Sequence, residues 1–366
     1  MSETTASASS GQFLRTLSLV ALAIAAIFAA DTFLAKSEEA ESRIEADRLF
    51  KLGQSLLDRG NSVEAVERIK DALEIERGNR DYQRLLAQAQ LTAGQLADAE
   101  TTLDDSLRVD STDGPANLTM ARVLVKEGRI REAISFYHRA IYGQWNDDAQ
   151  ANRLKVRFEL IDLLARQDSK EELLAELLEV QDQMPKDASA RVRIGRLFLA
   201  AGSPVRAADV FRGVLREDNS ADAYTGLGDA DFARGDYRAA ESDFESALRL
   251  KPEDPAATKG LDLSSRVLTL DPAVRGIGAA ERFRRSRILL QMALDAGACV
   301  NPPPEDLLDQ AEKTLKERVN LDGQYNATET NLDLAGQLWQ ARIAGCKPAP
   351  DPSDPLGLVL AKAAAQ

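Results

Sequence analysis

Residues 221–254 read ADAYTGLGDADFARGDYRAAESDFESALRLKPED, and this stretch decides the fold. Numbered from Ala221, it has Gly228 at position 8, Gly235 at position 15, Ala240 at position 20 and Phe244 at position 24. The same series recurs upstream in steps of about 34 residues, six times in all. Position 8 reads Gly53, Ala87, Ala121, Ile161, Gly195 and Gly228; position 15 reads Gly60, Gly94, Gly128, Asp168, Gly202 and Gly235. Position 20 reads Ala65, Ala99, Ala133, Leu173, Ala207 and Ala240, and position 24 reads Ile69, Leu103, Tyr137, Leu177, Phe211 and Phe244.

Small residues at positions 8 and 20 let two helices of one unit approach closely. The large residue at position 24 fills the space between that pair and the next unit. Glycine at position 15 permits the positive φ of a tight turn between helices. One unit cannot bury its own apolar face, so neighbours must stack, and the stack presents a surface for binding. The fourth unit departs most: Ile161, Asp168, Leu173 and Val180 replace small or turn residues, and six extra residues, 148–153, precede it. A longer first helix is expected there.

This pattern resembles the tetratricopeptide repeat over more than half of the chain. Tyr224, Leu227, Gly228, Ala240, Phe244, Ala247 and Pro252 fall where that family places such residues. The closing proline is present only as Pro185 and Pro252, with Arg77, Ser111, Trp145 and Asn219 elsewhere. The resemblance implies an all-α chain: a right-handed superhelical solenoid of about six helix-turn-helix repeats, followed by a small C-terminal helical module. The expected organisation is a polar tail (1–12), a transmembrane signal anchor (13–35) and a linker that starts the first helix (36–45). The solenoid follows over 46–254, in units 46–79, 80–113, 114–147, 154–187, 188–220 and 221–254. A capping helix (255–271), a helical module (272–347) and a proline-rich linker with a short apolar tail (348–366) complete the chain.

The formal charge of −13 and the pI near 4.8 argue against a general affinity for nucleic acid or anionic lipid. With two cysteines and the single His138, the usual four-ligand zinc site cannot be built. No phosphate-binding glycine loop, nucleophile elbow or CxxC pair is present. Neither catalytic residues nor a cofactor are expected. Asn117 and Asn326 each open a three-residue glycosylation sequon, a weak signal.

Arg15 precedes an uncharged run over residues 16–30, and only Asp31 interrupts the apolar character up to Ala35. About twenty helical residues span a bilayer core of roughly 30 Å. A cleaved signal peptide competes with this reading, but Phe28 and Phe33 occupy the −3 places for cleavage after Ala30 or Ala35. An uncleaved anchor is therefore expected. For orientation, Glu38, Glu39 and Glu41 beyond the run suit an exported body, whereas Lys36, Arg43 and Arg48 outnumber Arg15 and favour a cytoplasmic one.

The cysteines tip that balance. Helices are expected over 278–296, 305–319 and 327–344, with Cys299 after the first and Cys346 after the third. In an up-down-up arrangement those ends share one side. A disulfide there would add roughly 4 kcal/mol and requires an oxidising compartment; two unpaired thiols are the alternative. Arg282, Arg284, Arg285 and Arg287 form a dense basic run, either a docking patch or a solvated face paired with acids such as Glu281 and Asp295. The apolar segment 356–360 is expected to fold back on the solenoid.

In tetratricopeptide stacks the first helix of each unit lines the concave groove through positions 5, 9 and 12. The resemblance thus places Phe50, Gln54, Arg84, Gln88, Arg122, Phe158, Asp162, Arg196 and Asp229 on that face. Position 12 supplies an apolar floor of Leu57, Leu91, Val125, Ala165, Leu199 and Phe232. The arginines either receive a partner segment with some acidic character or pair with neighbouring acids. The Lys/Asn carboxylate clamp of chaperone-binding members is not recognisable, since Phe50 and Gln54 stand in two of its places.

The expected function is a non-enzymatic scaffold of the bacterial inner membrane, single-pass, with its body in the periplasm and protein partners in its groove. The alternatives are a cytoplasm-facing membrane adaptor and an accessory repeat protein of an enzyme complex.

Overall fold

The computed structural model describes the backbone of residues 6–295, 301–320, 323–347, 350–351 and 353–365, with most side chains of residues 6–26 outside that set. The chain is helical, and among the described residues there is no strand, only one isolated bridge between Asp113 and Gln144. Contacts divide it into two units, Met1–Asp162 and Leu163–Gln366. The division falls inside the fourth repeat.

In the first unit, α1 (Ala6–Asp58) is one helix of 53 residues. Its C-terminal part, from the buried Ala46 onward, serves as the first helix of the first repeat, with α2 (Ser62–Ile75) as the second. The next two repeats are α3 (Arg80–Ala93) with α4 (Leu96–Val109), and α5 (Gly114–Lys126) with α6 (Ile130–Tyr142). The 18-residue α7 (Ala149–Arg166) opens the fourth repeat. The extra residues lengthen this helix, as expected, against 13 or 14 residues in α3 and α5. In the second unit, α8 (Lys170–Glu179) completes the fourth repeat; α9 (Ala188–Ala200) with α10 (Pro204–Leu215), and α11 (Ala221–Ala233) with α12 (Tyr237–Leu250), form the last two.

The repeat positions do what their sizes require. Every residue at positions 20 and 24 is at most 2% exposed. Phe211 packs in a slot between Gly195 of its own repeat and Gly226 of the next; a methyl on Gly195 would lie 2.6 Å from its ring, and one on Gly226 would meet the ring as well. Phe244 lies likewise between Gly228 and Gly260. The turn glycines have φ between 70° and 84°, and Asp168, which replaces glycine in the fourth repeat, adopts φ 52°. The conformation belongs to the turn, and the fourth repeat adopts it at a cost.

A further periodic signal was missed in the sequence. The last residue of each repeat is Asn79, Asp113, Asp147, Asp187, Ser220 or Asp254. Five of these cap the following helix: Asn79 accepts from the Asp81 and Tyr82 N–H groups, Asp113 from Ala116, Asp187 from Ala190, Ser220 from Ala223 and Asp254 from Ala256 and Ala257. Each cap contributes about 1 kcal/mol.

After the repeats come α13 (Pro255–Leu270), α14 (Ala279–Asp295), α15 (Glu305–Lys316), α16 (Gln324–Gly345) and α17 (Pro355–Ala364). Leu289, Leu290, Leu334, Leu338, Trp339, Val359 and Leu360 share one core with Val267 of α13 and Tyr237 of α12. The C-terminal helices are thereby welded to the last repeat. The tail folds back, but chiefly onto α13 and the C-terminal helices rather than onto the solenoid as expected, burying Leu356, Val359 and Leu360, with Gly357 against Trp339. Inside this core Asn331 donates to Ser286 at 3.0 Å, a buried polar pair that holds the register of α14 against α16.

Among the described residues no helix is long and apolar enough to cross a membrane. About half of the side chains of the anchor expected over residues 13–35 lie outside that set. Cys299, one half of the expected disulfide, also lies outside the described residues.

Candidate functional site

In the first unit the expected groove residues form a sequence of inter-repeat contacts. Phe50 stacks on Tyr82 of the next repeat, ring centroids 4.6 Å apart at 22°. Arg84 pairs with Asp81 on its own helix and, at 2.8 Å, with Asp113, the buried cap of α5. Arg122 grips Glu159 of α7 with two hydrogen bonds, 2.9 Å from Nε and 2.8 Å from Nη2, and the Tyr137 hydroxyl donates to the same carboxylate at 2.7 Å. Burial pushes the Glu159 carboxyl up, but the hydrogen bonds from Arg122 and Tyr137 outweigh it and hold the group below the usual carboxylate range. Arg84 is thus tied to the residue that closes its own repeat and caps the next, and Arg122 to an acid of the following repeat. Gln54 and Gln88 remain exposed, and Phe158 is half-buried.

In the second unit Arg196 makes a looser pair, 3.5 Å to Asp222, with both side chains more than half exposed. Asp229 keeps an exposed outer edge, yet burial among its neighbours pushes its carboxyl up to about 6; Arg196 counters this in part and Asp254 adds to it. Phe232 meets Tyr237 edge-on at 5.0 Å and packs against two hydrophobic clusters, so it is a structural contact between the last repeat and the C-terminal helices. Of the apolar floor, Leu91 is buried, while Leu57, Val125, Ala165 and Leu199 are partly covered.

The basic run on α14 is divided between structure and surface. Arg285 binds Glu281 at 2.7 Å and the carbonyls of Leu268 and Asp271 at 2.7 and 3.0 Å. Arg287 donates to the carbonyls of Leu315 and Glu317 and lies over the Phe283 ring. Arg284 pairs with Glu281 at the surface, and Arg282 is exposed. Hydrogen bonds from Arg284 and Arg285 hold Glu281 at about 2. Among the described residues no group of three or more His, Cys, Asp or Glu side chains could hold a metal ion. Sequence reasoning found the residues of this face but not their partners, since those lie 29 and 37 residues away for Arg84 and Arg122.

A tetratricopeptide-repeat family profile matches residues 56–115, and a second one matches 166–222 and 225–261. The chain therefore carries tetratricopeptide repeats, which are protein–protein interaction modules and typically non-catalytic. No curated protein matches it. Among solved structures it is similar to YrrB, described as a repeat protein with an unusual peptide-binding site, at 20% identity over 54% of this chain and 99% of that one, with a TM-score of 0.43. It is also similar to Pseudomonas aeruginosa PilF, at 19% identity over 61% and 97% with a TM-score of 0.41. A third is a repeat-containing protein from Cytophaga hutchinsonii, at 13% identity over 83% and 97% with a TM-score of 0.44.

Proposed function

We propose that the chain is a non-enzymatic scaffold of the bacterial envelope, tethered to the inner membrane by the N-terminal part of α1 and holding a partner segment on its repeat face. The observation that carries the tether is the continuity of α1. Its 53 residues run without a break through a stretch that carries exposed apolar side chains and end as the first helix of the first repeat. Leu17, Leu22, Ile27, Phe28, Phe33 and Leu34 are 57–73% exposed. Apolar side chains in such density are costly in water and favourable in lipid. A carbonate-washed membrane fraction tests this: the native chain stays with the membrane, and Ile27→Lys/Phe28→Lys releases it. Release of the native chain would end the reading.

The oxidising location rests on the segments around the cysteines. The Asn301 N–H donates to the Gly345 carbonyl at 3.2 Å, which brings the chain two residues beyond Cys299 beside the residue preceding Cys346. A Cys299–Cys346 bridge fits that neighbourhood. Thiol labelling of intact cells before and after reduction separates this reading from the cytoplasm-facing one, in which both cysteines label without reductant.

In the first unit the exposed Gln54 and Gln88 are left for a partner, since Arg84 and Arg122 are already paired; in the second unit Arg196 is held only by its loose pair with Asp222. Crosslinked membranes from the native chain should differ in captured partner from those of a Gln54→Tyr/Gln88→Tyr variant or, separately, of Arg196→Glu. An unchanged partner set places binding on the C-terminal helices instead.

A further inference from the structure

In a chain that is acidic overall, one cleft of about 620 Å³ gathers four cations. It lies where the turn of the last repeat meets the C-terminal helices, lined by Arg234, Arg238, Arg275 and Lys362 around Tyr237, with Leu268, Ala273 and Val274 as an apolar wall. We propose that this cleft is an anion-binding site for a phosphoryl or carboxylate group carrying at least two negative charges. The proposal does not depend on the repeat face.

Charge accounting separates this cleft from an ordinary salt-bridged surface. Arg234 is held by Asp231 at 2.7 Å, and Lys362 by the buried Asp271 at 2.8 Å. The Asp236 carboxylate at the rim caps α12 by accepting from the Ala239 N–H at 3.2 Å. Among the described residues neither Arg238 nor Arg275 has a hydrogen bond or an ion pair. Two guanidinium groups without an ion-pair partner stand beside a paired guanidinium and a paired ammonium, and the Asp236 carboxylate at the rim offsets only part of that charge.

Their placement is unfavourable without a ligand. Arg238 stands in the first turn of α12, where the helix dipole opposes a cation. Arg275 adds a like charge across the same cleft. An oxyanion reverses the sign of both effects, because guanidinium forks match phosphate and carboxylate oxygens in pairs. The α12 N-terminus, adverse to Arg238, favours the same anion. The cleft falls within the 300–1,000 Å³ of small-ligand sites, so the anion can carry a short organic body against Leu268 and Val274. That body is a free small molecule or the side chain of a partner polypeptide.

The experiment uses the full chain in detergent at fixed ionic strength, titrated calorimetrically with inorganic pyrophosphate and, separately, with acetyl-tetra-aspartyl amide. Saturable pyrophosphate binding is expected for the native chain, weakened about tenfold or more in Arg238→Gln/Arg275→Gln, because the charge-assisted hydrogen bonds of both guanidinium groups are lost. Arg108→Gln, an exposed arginine on α4 outside the cleft, should bind like the native chain. Binding of pyrophosphate alone identifies a free oxyanion, and binding of the peptide identifies a group presented on a polypeptide. The ligand-free double variant should unfold at the same temperature as the native chain or higher, since it loses repulsion and no contact. Absence of saturable binding of either probe, or equal binding by the double variant, overturns the proposal. Arg275→Gln alone, which touches no helix, supplies the same comparison if the double variant is misfolded.

Discussion

Arg84 on the first helix of the second repeat donates to Asp113 at 2.8 Å, and Asp113 in turn caps the first helix of the third repeat by accepting from Ala116 at 2.9 Å. One buried carboxylate therefore joins two repeats and starts a helix. Asp113 is 4% exposed and Arg84 22%, so neither charge is well solvated. Asp113→Ala should lower stability by about 1–3 kcal/mol, combining a lost cap with a half-buried arginine left only its own-helix partner Asp81. Asp113→Asn, which can still cap, should cost less. Urea unfolding followed by circular dichroism measures both; equal loss in the two variants would mean that the ion pair contributes and the cap does not.

The slot around Phe211 has no room on its Gly226 side. Gly226→Ala should gain about 1 kcal/mol of helix propensity and lose about 1–3 kcal/mol to overpacking against the ring, for a net destabilisation. The double variant Gly226→Ala/Phe211→Leu tests the cause. It should recover part of the loss relative to the sum of the single changes, and simple additivity would show that the two sites do not touch.

Asp168 occupies a left-handed turn, at φ 52°, that glycine fills in the other five repeats. Asp168→Gly should raise stability by about 0.5–1 kcal/mol, the relief of strain being reduced by the greater freedom of glycine in the unfolded chain. Its side chain lies only 3.8 Å from Lys170 at the surface, an ion pair of little weight. A lower melting temperature in the variant would contradict this account of the turn.

Asp243 supplies a pH signature. Burial, with the nearby charges of Asp231 and Asp236, pushes its carboxyl up to about 6, and Arg212 only partly counters them. In the folded state it holds its proton above the ordinary carboxylate value of 3.8. Its penalty is thus absent below that value, grows as pH rises, and is complete above about 6. Asp243→Asn should stabilise the chain at pH 7 by about 1 kcal/mol, discounted for partial exposure, and leave stability at pH 3.5 unchanged. Melting curves of both proteins across that range decide it. A gain that is the same at both ends would point to packing rather than titration.

The repeats, their turns and their buried positions were legible because they are local. Gly228, Gly235, Ala240 and Phe244 recur at one period, and period alone states which residues share a face. The helix caps at Asn79, Asp113, Asp187, Ser220 and Asp254 obey the same period and were equally readable, since Asn, Asp and Ser are favoured at the residue just before a helix. Tertiary structure alone decided where the long side chains end. Arg84 and Arg122 look like groove cations in the sequence, yet Arg84 is taken by the cap residue that closes its own repeat and Arg122 by an acid of the next one, at separations no helical period reports. Gly226 and Gly260 read as loose helix positions until the ring of the preceding repeat is set against them. The cleft of Arg238 and Arg275 likewise exists only once the C-terminal helices fold back onto α12 and α13, through Tyr237, Val267 and Val359. Backbone conformation is specified by neighbours along the chain, whereas charge pairing and cavities are specified by whatever the fold brings alongside.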